Sequence, residues 1–386
     1  MSAASDVLVI GGGISGLAAA FECVKAGASV TLVEARQLGA MASTWTLGGV
    51  RQSGRDPAEL PLAQAAVARW LALDEELGAP TGYRQRGNLR LARTPDEVET
   101  LRTMVAAQRA LGLALDLLTD PAAIRAIAPA IGPSVLAASF CPGDGHADPE
   151  RTLAAYAGAA RRLGARIEEQ TPAMRLITTN GRVTGVETPQ GPRSAGTVIL
   201  TGSVHAPGLL APLGLDLPMA AKRVCVMQTV PAAPAFEQVF GVANADCAGR
   251  QELSGRYRFT TGIGDWPGDP AAWSETTLRP SVAECAALIA RVVPLLPVLA
   301  GAGLDRVWGG LIDLTPDALP VLDAPASHPG LVIGAGFSGH GFGIGPVTGE
   351  ILCALALGHA PRFDCAPFRL SRFGAADGFA PLSLHG

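Results

Sequence analysis

Several signatures of other protein classes are missing from this sequence of 386 residues. A formal net charge of -4 gives no basic field for nucleic acid, and no apolar segment is long enough to span a bilayer. The N-terminus has no basic region followed by a cleavable apolar segment, so no export signal is visible. We therefore expect a cytoplasmic protein with no nucleic-acid partner and no membrane span.

The cysteines are few and scattered as well. There are seven, an odd number, and no two of them form a CxxC pair. This pattern is not that of an iron-sulfur cluster, a zinc site or a disulfide framework, and no metal is expected. Internal repeats and low-complexity linkers are also missing. The composition, 48% hydrophobic and rich in glycine, is that of a globular protein. Its domain organisation therefore has to be inferred from its motifs.

The first motif is "VLVIGGGISGLAAA", at 7–20. Residues 6–10 predict a buried strand, 14–26 a helix, and 29–34 a second strand that ends in an acid. A strand, a helix and a strand in this order form a βαβ unit of about thirty residues, which is the frame of a dinucleotide-binding fold.

Three glycines and one acid of this unit favour a bound dinucleotide over a structural turn. Gly11 would make the tight turn, Gly13 would let the backbone approach a pyrophosphate, and Gly16 would let the helix pack on the strand. The helix N-terminus supplies amide donors to the phosphates. Glu34 is placed to bind a ribose diol and argues against a 2′-phosphate, which leaves FAD or NAD.

A second glycine-rich stretch lies near the other end, at 330–358. Residues 331–333 predict a strand, and a helix is expected from about Pro346 to Gly358. One nucleotide does not need two such loops, whereas a long cofactor does if its ADP end and its redox ring lie on different loops. Amides at a helix N-terminus stabilise the negative charge that a flavin gains on reduction. The second loop therefore favours FAD, although a tight turn onto a packing helix is the structural alternative.

The stretch "GAGFSGHGFGIGPVTGE" at 334–350 resembles the C-terminal flavin motif of the D-amino-acid oxidase and sarcosine oxidase family. Similar family segments are "WGGLIDLTPDALPVLD" at 308–323, "GGVRQSGRDPAELPLA" at 48–63 and "CPGDGHADPERT" at 141–152. Sarcosine oxidase β-type subunits and opine or hydroxyproline dehydrogenase subunits are the most similar members by eye. The resemblance covers nearly the whole chain.

This resemblance implies an α/β fold, with a discontinuous FAD-binding domain of Rossmann type and a second, antiparallel-sheet substrate domain that covers the flavin. The expected boundaries are 1–80, 142–215 and 306–386 for the FAD-binding domain, and 81–141 and 216–305 for the substrate domain.

The resemblance also implies a reaction. An FAD-dependent amine or amino acid dehydrogenase or oxidase would pass a hydride from Cα to flavin N5, and the imine would then be hydrolysed. Its partners would be a small amine or amino acid, an electron acceptor (oxygen or a redox partner) and, as a further expectation, other subunits of a hetero-oligomer. A flavin-binding subunit with an electron-relay or structural role is the alternative, and an NAD enzyme that uses only the first motif is a third interpretation.

The residues expected to contact the cofactor lie in one of the two glycine loops or in a segment that surrounds FAD in the family. They are Gly11, Gly13, Ile14, Ser15, Gly16, Glu34, Ala35, Arg36, Ala42, Ser43, Trp45, Gly48, Gly49, Ala173, Thr201, Gly202, Gly310, Gly336, Gly339, His340, Gly341, Phe342, Gly343 and Ile344.

Three residues are candidates for the reaction itself. In sarcosine-oxidase-like members an arginine in the segment of Arg51 binds the substrate carboxylate, and a guanidinium suits that role because it offers two parallel donors. A contact with flavin phosphate or an acid is the alternative for Arg51. Tyr257 and Arg258 face opposite sides of a strand, so at most one of them reaches the flavin. His340 is a candidate for proton transfer or for orienting its loop.

Several positions depart from the family pattern. Gly310 stands where covalent members carry a cysteine, so the FAD is expected to be non-covalent, and Gly343 stands where many members carry a lysine. Trp45 occupies a position expected to face the flavin, and Ser203 with His205 replaces a glycine and an aromatic residue. The stretch "RYRFTTG" lacks the lysine expected for oxygen activation, which favours a dehydrogenase over an oxidase.

Overall fold

The computed structural model describes residues 4–374. The strands are β1 (Ser5–Ile10), β2 (Val30–Val33), β3 (Gly49–Val50), β4 (Asn88–Ala92), β5 (Asp116–Leu118), β6 (Ala137–Cys141), β7 (Gly145–His146), β8 (Arg166–Glu168), β9 (Arg175–Thr179), β10 (Arg182–Glu187), β11 (Arg193–Leu200), β12 (Ala220–Thr229), β13 (Val239–Val242), β14 (Cys247–Gln251), β15 (Tyr257–Thr261), β16 (Gly264–Asp265), β17 (Leu304–Leu314), β18 (Val321–Asp323) and β19 (Leu331–Ala335). The helices are α1 (Ile14–Lys25), α2 (Ala42–Trp45), α3 (Leu60–Trp70), α4 (Leu73–Leu77), α5 (Pro95–Ala110), α6 (Pro121–Ile127), α7 (Pro149–Arg162), α8 (Ala206–Leu210), α9 (Glu275–Leu278), α10 (Val282–Leu295) and α11 (Gly341–Ala356).

The first sheet carries the predicted dinucleotide-binding unit. Its strands follow the order β18-β19-β11-β1-β2-β8, and β1 pairs in parallel with both β2 and β11. All four residues of β2 are buried, as expected for a parallel strand that is covered on both faces. The predicted α/β fold with a Rossmann-type unit is confirmed.

The helix after the second glycine loop begins earlier than predicted. It starts at Gly341 instead of about Pro346, so Pro346 lies inside the helix. Close packing against α1 explains the difference, because a Cβ on Gly345 would lie 2.4 Å from Ile14 Cγ1 and one on Gly349 2.5 Å from Ala18 Cβ. The glycines let the two backbones approach, and this packing outweighs their poor helix propensity.

The second sheet is mainly antiparallel and follows the order β16-β12-β15-β14-β13-β4-β6-β5, with β17 on the other edge of β12. Strands β4, β5 and β6 precede α7 in the sequence and the other strands follow it, so this sheet joins two separate parts of the chain. Apart from a bulge at Asp305, β17 pairs with β12 along its whole length, although the predicted domain boundary at 306 falls inside this strand. The domain boundaries remain a prediction.

Separate apolar cores support the two sheets. One core packs α1, α3, α7 and α11 against the first sheet, and another packs α10 against the second. Within residues 4–374, none of the helices combines the length and hydropathy needed to cross a bilayer. The space between the two sheets holds the candidate active site.

Candidate active site

A cavity of about 1180 Å³ lies where the glycine loops of the first sheet meet the second sheet. Ligand pockets usually have volumes of roughly 300–1,000 Å³, so this cavity can hold a large ligand. The predicted site residues that line it are Gly11, Gly13, Ile14, Ser15, Gly16, Glu34, Ala35, Arg36, Ala42, Ser43, Trp45, Gly49, Arg51, Ala173, Thr201, Gly202, Gly310, Gly339, His340, Gly341 and Phe342. The fold thus brings both glycine loops and Arg51 to one cavity.

Tyr257 does not line the cavity, which corrects its placement among the candidates for the reaction. Its side chain is 1% exposed and belongs to the apolar core of the second sheet. The next residue, Arg258, points the other way and donates to the carbonyls of Thr44 at 3.0 Å and Thr46 at 2.9 Å. Arg258 therefore holds the segment that carries Trp45.

Four further predicted residues lie outside the cavity lining: Gly48, Gly336, Gly343 and Ile344. Three of them are glycines because a Cβ would collide with the protein itself. It would lie 2.4 Å from the Ala147 carbonyl oxygen at Gly48, 2.3 Å from Thr315 Cγ2 at Gly336, and 2.9 Å from the Gly49 carbonyl oxygen at Gly343. Ile344 is buried in the protein interior. These residues shape the cavity wall without facing the cavity.

The absence of lysine at 343 has a steric basis. A side chain at this position would start 2.9 Å from the Gly49 carbonyl oxygen and 3.6 Å from the Arg51 backbone nitrogen. The Gly343 carbonyl also accepts a hydrogen bond of 2.8 Å from the indole of Trp70. Helix α11 therefore lies too close to β3 to leave room for a lysine side chain at position 343, and this position supplies no second substrate-binding cation.

The first glycine loop has the arrangement expected around an ADP moiety. Glu34 accepts hydrogen bonds from the backbone nitrogens of Gly12 at 2.7 Å and Arg36 at 2.8 Å, which fix its carboxylate at the cavity rim. A Cβ on Gly11 would lie 2.4 Å from the Thr201 carbonyl oxygen, and one on Gly16 2.0 Å from the Gly11 carbonyl oxygen. Both glycines are thus required by close packing at the end of β1.

Two helix N-termini point into the cavity. Gly13 is the N-cap of α1 and His340 is the N-cap of α11, and neither helix has an acidic residue in its first turn. The first amide of α1, that of Ile14, donates to the Ser43 hydroxyl at 3.0 Å. The other amides of the two first turns have no partner within their helix and can donate to external acceptors, such as a pyrophosphate at α1 and an electron-rich ring at α11. This donor set fits FAD, with Glu34 at the ribose and the two loops at the two ends of the cofactor.

Residues 270–273, here called the strap, cover the cavity rim next to Arg36. The Arg36 guanidinium lies over the Trp273 ring, 3.8 Å from its centroid, and donates to the Trp273 carbonyl at 3.0 Å. The Trp273 indole donates to His205 at 3.4 Å and meets the Trp45 ring edge-on, with centroids 5.7 Å apart. Trp45 and His205, which depart from the family pattern, thus belong to one aromatic cluster that closes the rim.

The other end of the cavity is cationic. Both Arg51 and Arg55 line it, and Arg55, which the sequence reasoning missed, is 4% exposed. Within residues 4–374 the Arg51 side chain makes no hydrogen bond or ion pair, and Nη1 of Arg55 has no hydrogen-bond partner. Burial, with the charges of Arg55 and Arg90, lowers the pKa of Arg51. A guanidinium stays charged in proteins, so this end of the cavity favours an anion.

Asp144 holds the segment that carries the two arginines. Its carboxylate accepts from the backbone nitrogens of Gln52 at 2.8 Å and Ser53 at 3.3 Å, and from the Ser53 hydroxyl. Asn88, another lining residue that the sequence reasoning missed, donates to the same hydroxyl at 3.1 Å. This buried network fixes the backbone next to Arg51 and orients the guanidinium toward the cavity.

His340 also reaches this end of the cavity, where it meets a carboxylate that the sequence did not indicate. Its Nδ1 lies 3.1 Å from Oε2 of Glu59, whose side chain is 0% exposed. Burial lowers the pKa of His340, and the charge of Arg55 adds to the effect while Glu59 opposes it. The imidazole is therefore neutral at pH 7, with Nδ1 donating to Glu59.

Comparisons with known proteins support FAD as the cofactor. The family model described as "FAD dependent oxidoreductase" matches residues 6–355. Glycine oxidase of Geobacillus kaustophilus is 29% identical over 377 residues, which are 95% of this chain and 97% of that protein. A crystal structure of glycine oxidase from this organism is 26% identical and covers 95% of this chain and 98% of that one, with a TM-score of 0.88.

Two more relatives are similar over most of the chain. Sarcosine oxidase subunit beta of Arthrobacter sp is 27% identical over 95% of this chain and 91% of that protein. Mitochondrial dimethylglycine dehydrogenase of Mus musculus is 26% identical over 96% of this chain, which spans only 44% of that longer protein. The family match covers both glycine loops and the cationic end of the cavity, and the NAD interpretation is thereby excluded. This chain belongs to the family of FAD-dependent oxidoreductases that includes glycine oxidase and the sarcosine oxidase β subunit.

Proposed function

We propose that this protein oxidises the C–N bond of an amino acid, or of another amine that carries a carboxylate, with FAD as its cofactor. The observation that carries the proposal is the pair of guanidiniums, Arg51 and Arg55, which face the same cavity as the two glycine loops with unused donors. The named relatives act on glycine, sarcosine and dimethylglycine, all of which are small amines with one carboxylate.

The geometry suits the binding of such a substrate. Arg51 would donate two parallel hydrogen bonds to the carboxylate, and Arg55 would take the place of the second cation that Gly343 does not supply. FAD, when bound, supplies the acceptor for the hydride. The residues of the chain would bind and orient the amine, and the second sheet would keep water from it.

We further propose that the protein is a dehydrogenase and not an oxidase. The sequence has two lysines, and neither Lys25 nor Lys222 lines the cavity. The lysine expected for oxygen activation is thus missing from the cavity, which favours an electron acceptor other than oxygen. The name of the Arthrobacter relative, a subunit of an oxidase, supports a hetero-oligomer but does not bear on an acceptor other than oxygen. The cytoplasm remains the predicted location.

Anaerobic reduction of the purified, FAD-loaded chain tests the proposal. A panel of glycine, sarcosine, dimethylglycine and proline would be compared with matched amines that lack the carboxylate, such as methylamine and pyrrolidine. We expect the visible flavin band to bleach with at least one amino acid and much more slowly with its matched amine. If the chain binds FAD but no amine bleaches the flavin band, the result would instead support the electron-relay alternative.

A further inference from the structure

We propose that Nε2 of His340 accepts a hydrogen bond, and then the proton, from the ammonium group of the substrate, with Glu59 as the residue that positions and stabilises the protonated ring. The proposal rests on the proposed function, because it requires an amine held in this cavity by its carboxylate. His340 would thus be a catalytic residue and Glu59 a positioning residue.

The hydrogen-bond geometry leaves one free acceptor on the ring. An ionised carboxylate only accepts, so the 3.1 Å contact between His340 Nδ1 and Glu59 Oε2 places the ring proton on Nδ1. Nε2 then carries a lone pair. It is buried, has no hydrogen-bond partner within residues 4–374, and belongs to a ring that lines the cavity. A buried acceptor without a partner is costly, and a substrate N–H removes that cost.

The surrounding charges keep this pair in the required state. The charged side chains that act on the ring are Glu59, Arg55 and Arg51. Although burial opposes it, attraction by His340, which is protonated in the acid range where Glu59 titrates, and by Arg55 lowers the pKa of Glu59 to about 2. Glu59 is therefore ionised at pH 7. A neutral imidazole that donates to a buried carboxylate has the arrangement of a general base with its orienting acid.

Binding of the substrate carboxylate would make the base stronger. The two guanidiniums oppose a positive charge on His340, and a carboxylate between them reduces that repulsion. The ammonium N–H bond then breaks, its electron pair stays on nitrogen, and the proton forms a bond with Nε2. The step moves one proton and needs no oxidant. It leaves the amine with the lone pair that loss of a hydride from Cα requires.

Two ligands separate the carboxylate contact from the ammonium contact. 2-Aminoisobutyrate carries both groups and cannot be oxidised at its Cα, which has no hydrogen, whereas isobutyrate lacks the ammonium. Their Kd values would be measured at pH 7 on the FAD-loaded wild type, Glu59→Gln and His340→Asn, from the change in the flavin spectrum. The asparagine keeps an N–H for Glu59 but offers no acceptor in the place of Nε2.

Glu59→Gln should affect the two ligands in opposite directions. We expect the Kd of 2-aminoisobutyrate to rise by about tenfold or more, because a charge-assisted contact is lost. The Kd of isobutyrate should stay the same or fall, because a negative charge near the guanidiniums has been removed. His340→Asn should weaken 2-aminoisobutyrate by a similar factor and leave isobutyrate unchanged. A structural defect would weaken both ligands together.

The pH dependence of flavin bleaching by a substrate of the panel provides the second readout. His340→Asn should lose most activity near pH 7 and recover as the pH approaches the pKa of the substrate ammonium, because the amine then arrives without its proton. Parallel changes for both ligands in both variants, or a deficit that does not depend on pH, would overturn the role of His340. Failure of both ligands to bind the wild type would overturn the carboxylate site, and with it the proposed function.

Discussion

Replacement of Arg51 by methionine separates function from stability. The Arg51 guanidinium is only partly exposed and has no hydrogen bond or ion pair inside residues 4–374, and the charges of Arg55 and Arg90 act against it. Replacing charged groups in a protein interior by apolar side chains of similar volume is often neutral or stabilising. Arg51→Met should therefore raise the free energy of unfolding of the protein without substrate by about 1 kcal/mol, which corresponds to roughly 2 °C in Tm.

The same substitution should impair the reaction. A hydrogen bond to a charged group contributes about 1.5–3 kcal/mol, so kcat/KM for a substrate with a carboxylate should fall by roughly ten- to a hundredfold. Arg51→Lys keeps the charge but loses the bidentate contact and should lie between methionine and the wild type. Oxidation of a matched amine without a carboxylate should hardly change.

The assays are anaerobic flavin bleaching, the flavin content of each variant, and thermal unfolding. Arg51→Lys is the control for charge, and the matched amine is the control for general damage. Equal losses with both kinds of substrate, or loss of flavin from Arg51→Met, would assign Arg51 to the cofactor or the fold. A lower Tm in Arg51→Met would refute the idea that the cation is unpaired.

Four more outcomes follow from the structure. Glu34→Ala should raise the Kd of FAD by about tenfold and leave the fold intact, because a ribose contact is lost; wild-type FAD affinity would contradict this role. Acid precipitation should release all flavin, because Gly310 offers no sulfur for a covalent bond, and flavin in the pellet would refute this. Asp313, a buried residue of β17 that lines the cavity, has its pKa raised to about 6 by burial, so the folded state binds its proton more tightly and stability falls as pH rises from about 4 to about 6. Asp313→Asn should remove about 3 kcal/mol of this dependence in urea unfolding of the FAD-free protein, and an unchanged slope would count against it. Trp273→Ala should speed FAD release by opening the rim next to Arg36, and an unchanged release rate would show that the strap does not retain the cofactor.

The parts of the fold that could be predicted are those with a local pattern. The first glycine loop, its strand and its helix lie within thirty residues, and the spacing of Gly11, Gly13 and Gly16 carries the prediction. The second loop was also recognised from its glycines. The predicted start of its helix, at about Pro346, was wrong. Contacts between α11 and α1, which are far apart in the sequence, extend the helix back to Gly341 and place Pro346 inside it.

The cationic end of the cavity could be predicted only in part. Arg51 was expected from a family segment, whereas Arg55 and Glu59 have no local pattern that marks them. Glu59 and His340 are 281 residues apart in sequence, and only the packing of α11 on β3 and α3 brings them together. For Tyr257 and Arg258, strand alternation predicts that at most one of them reaches the flavin. In the structure neither lines the cavity, because Tyr257 packs into the core of the second sheet and Arg258 donates to backbone carbonyls.

We expect the chain itself, loaded with FAD, to oxidise a C–N bond. The most direct test is a single anaerobic turnover of the purified, FAD-loaded chain with the best acyclic substrate of the panel (glycine, sarcosine or dimethylglycine), followed by quantification of the products. We predict one equivalent of carbonyl product and one of released ammonia or amine for each flavin that is bleached. Bleaching without release of ammonia or amine, or no bleaching by any amine, would contradict the account.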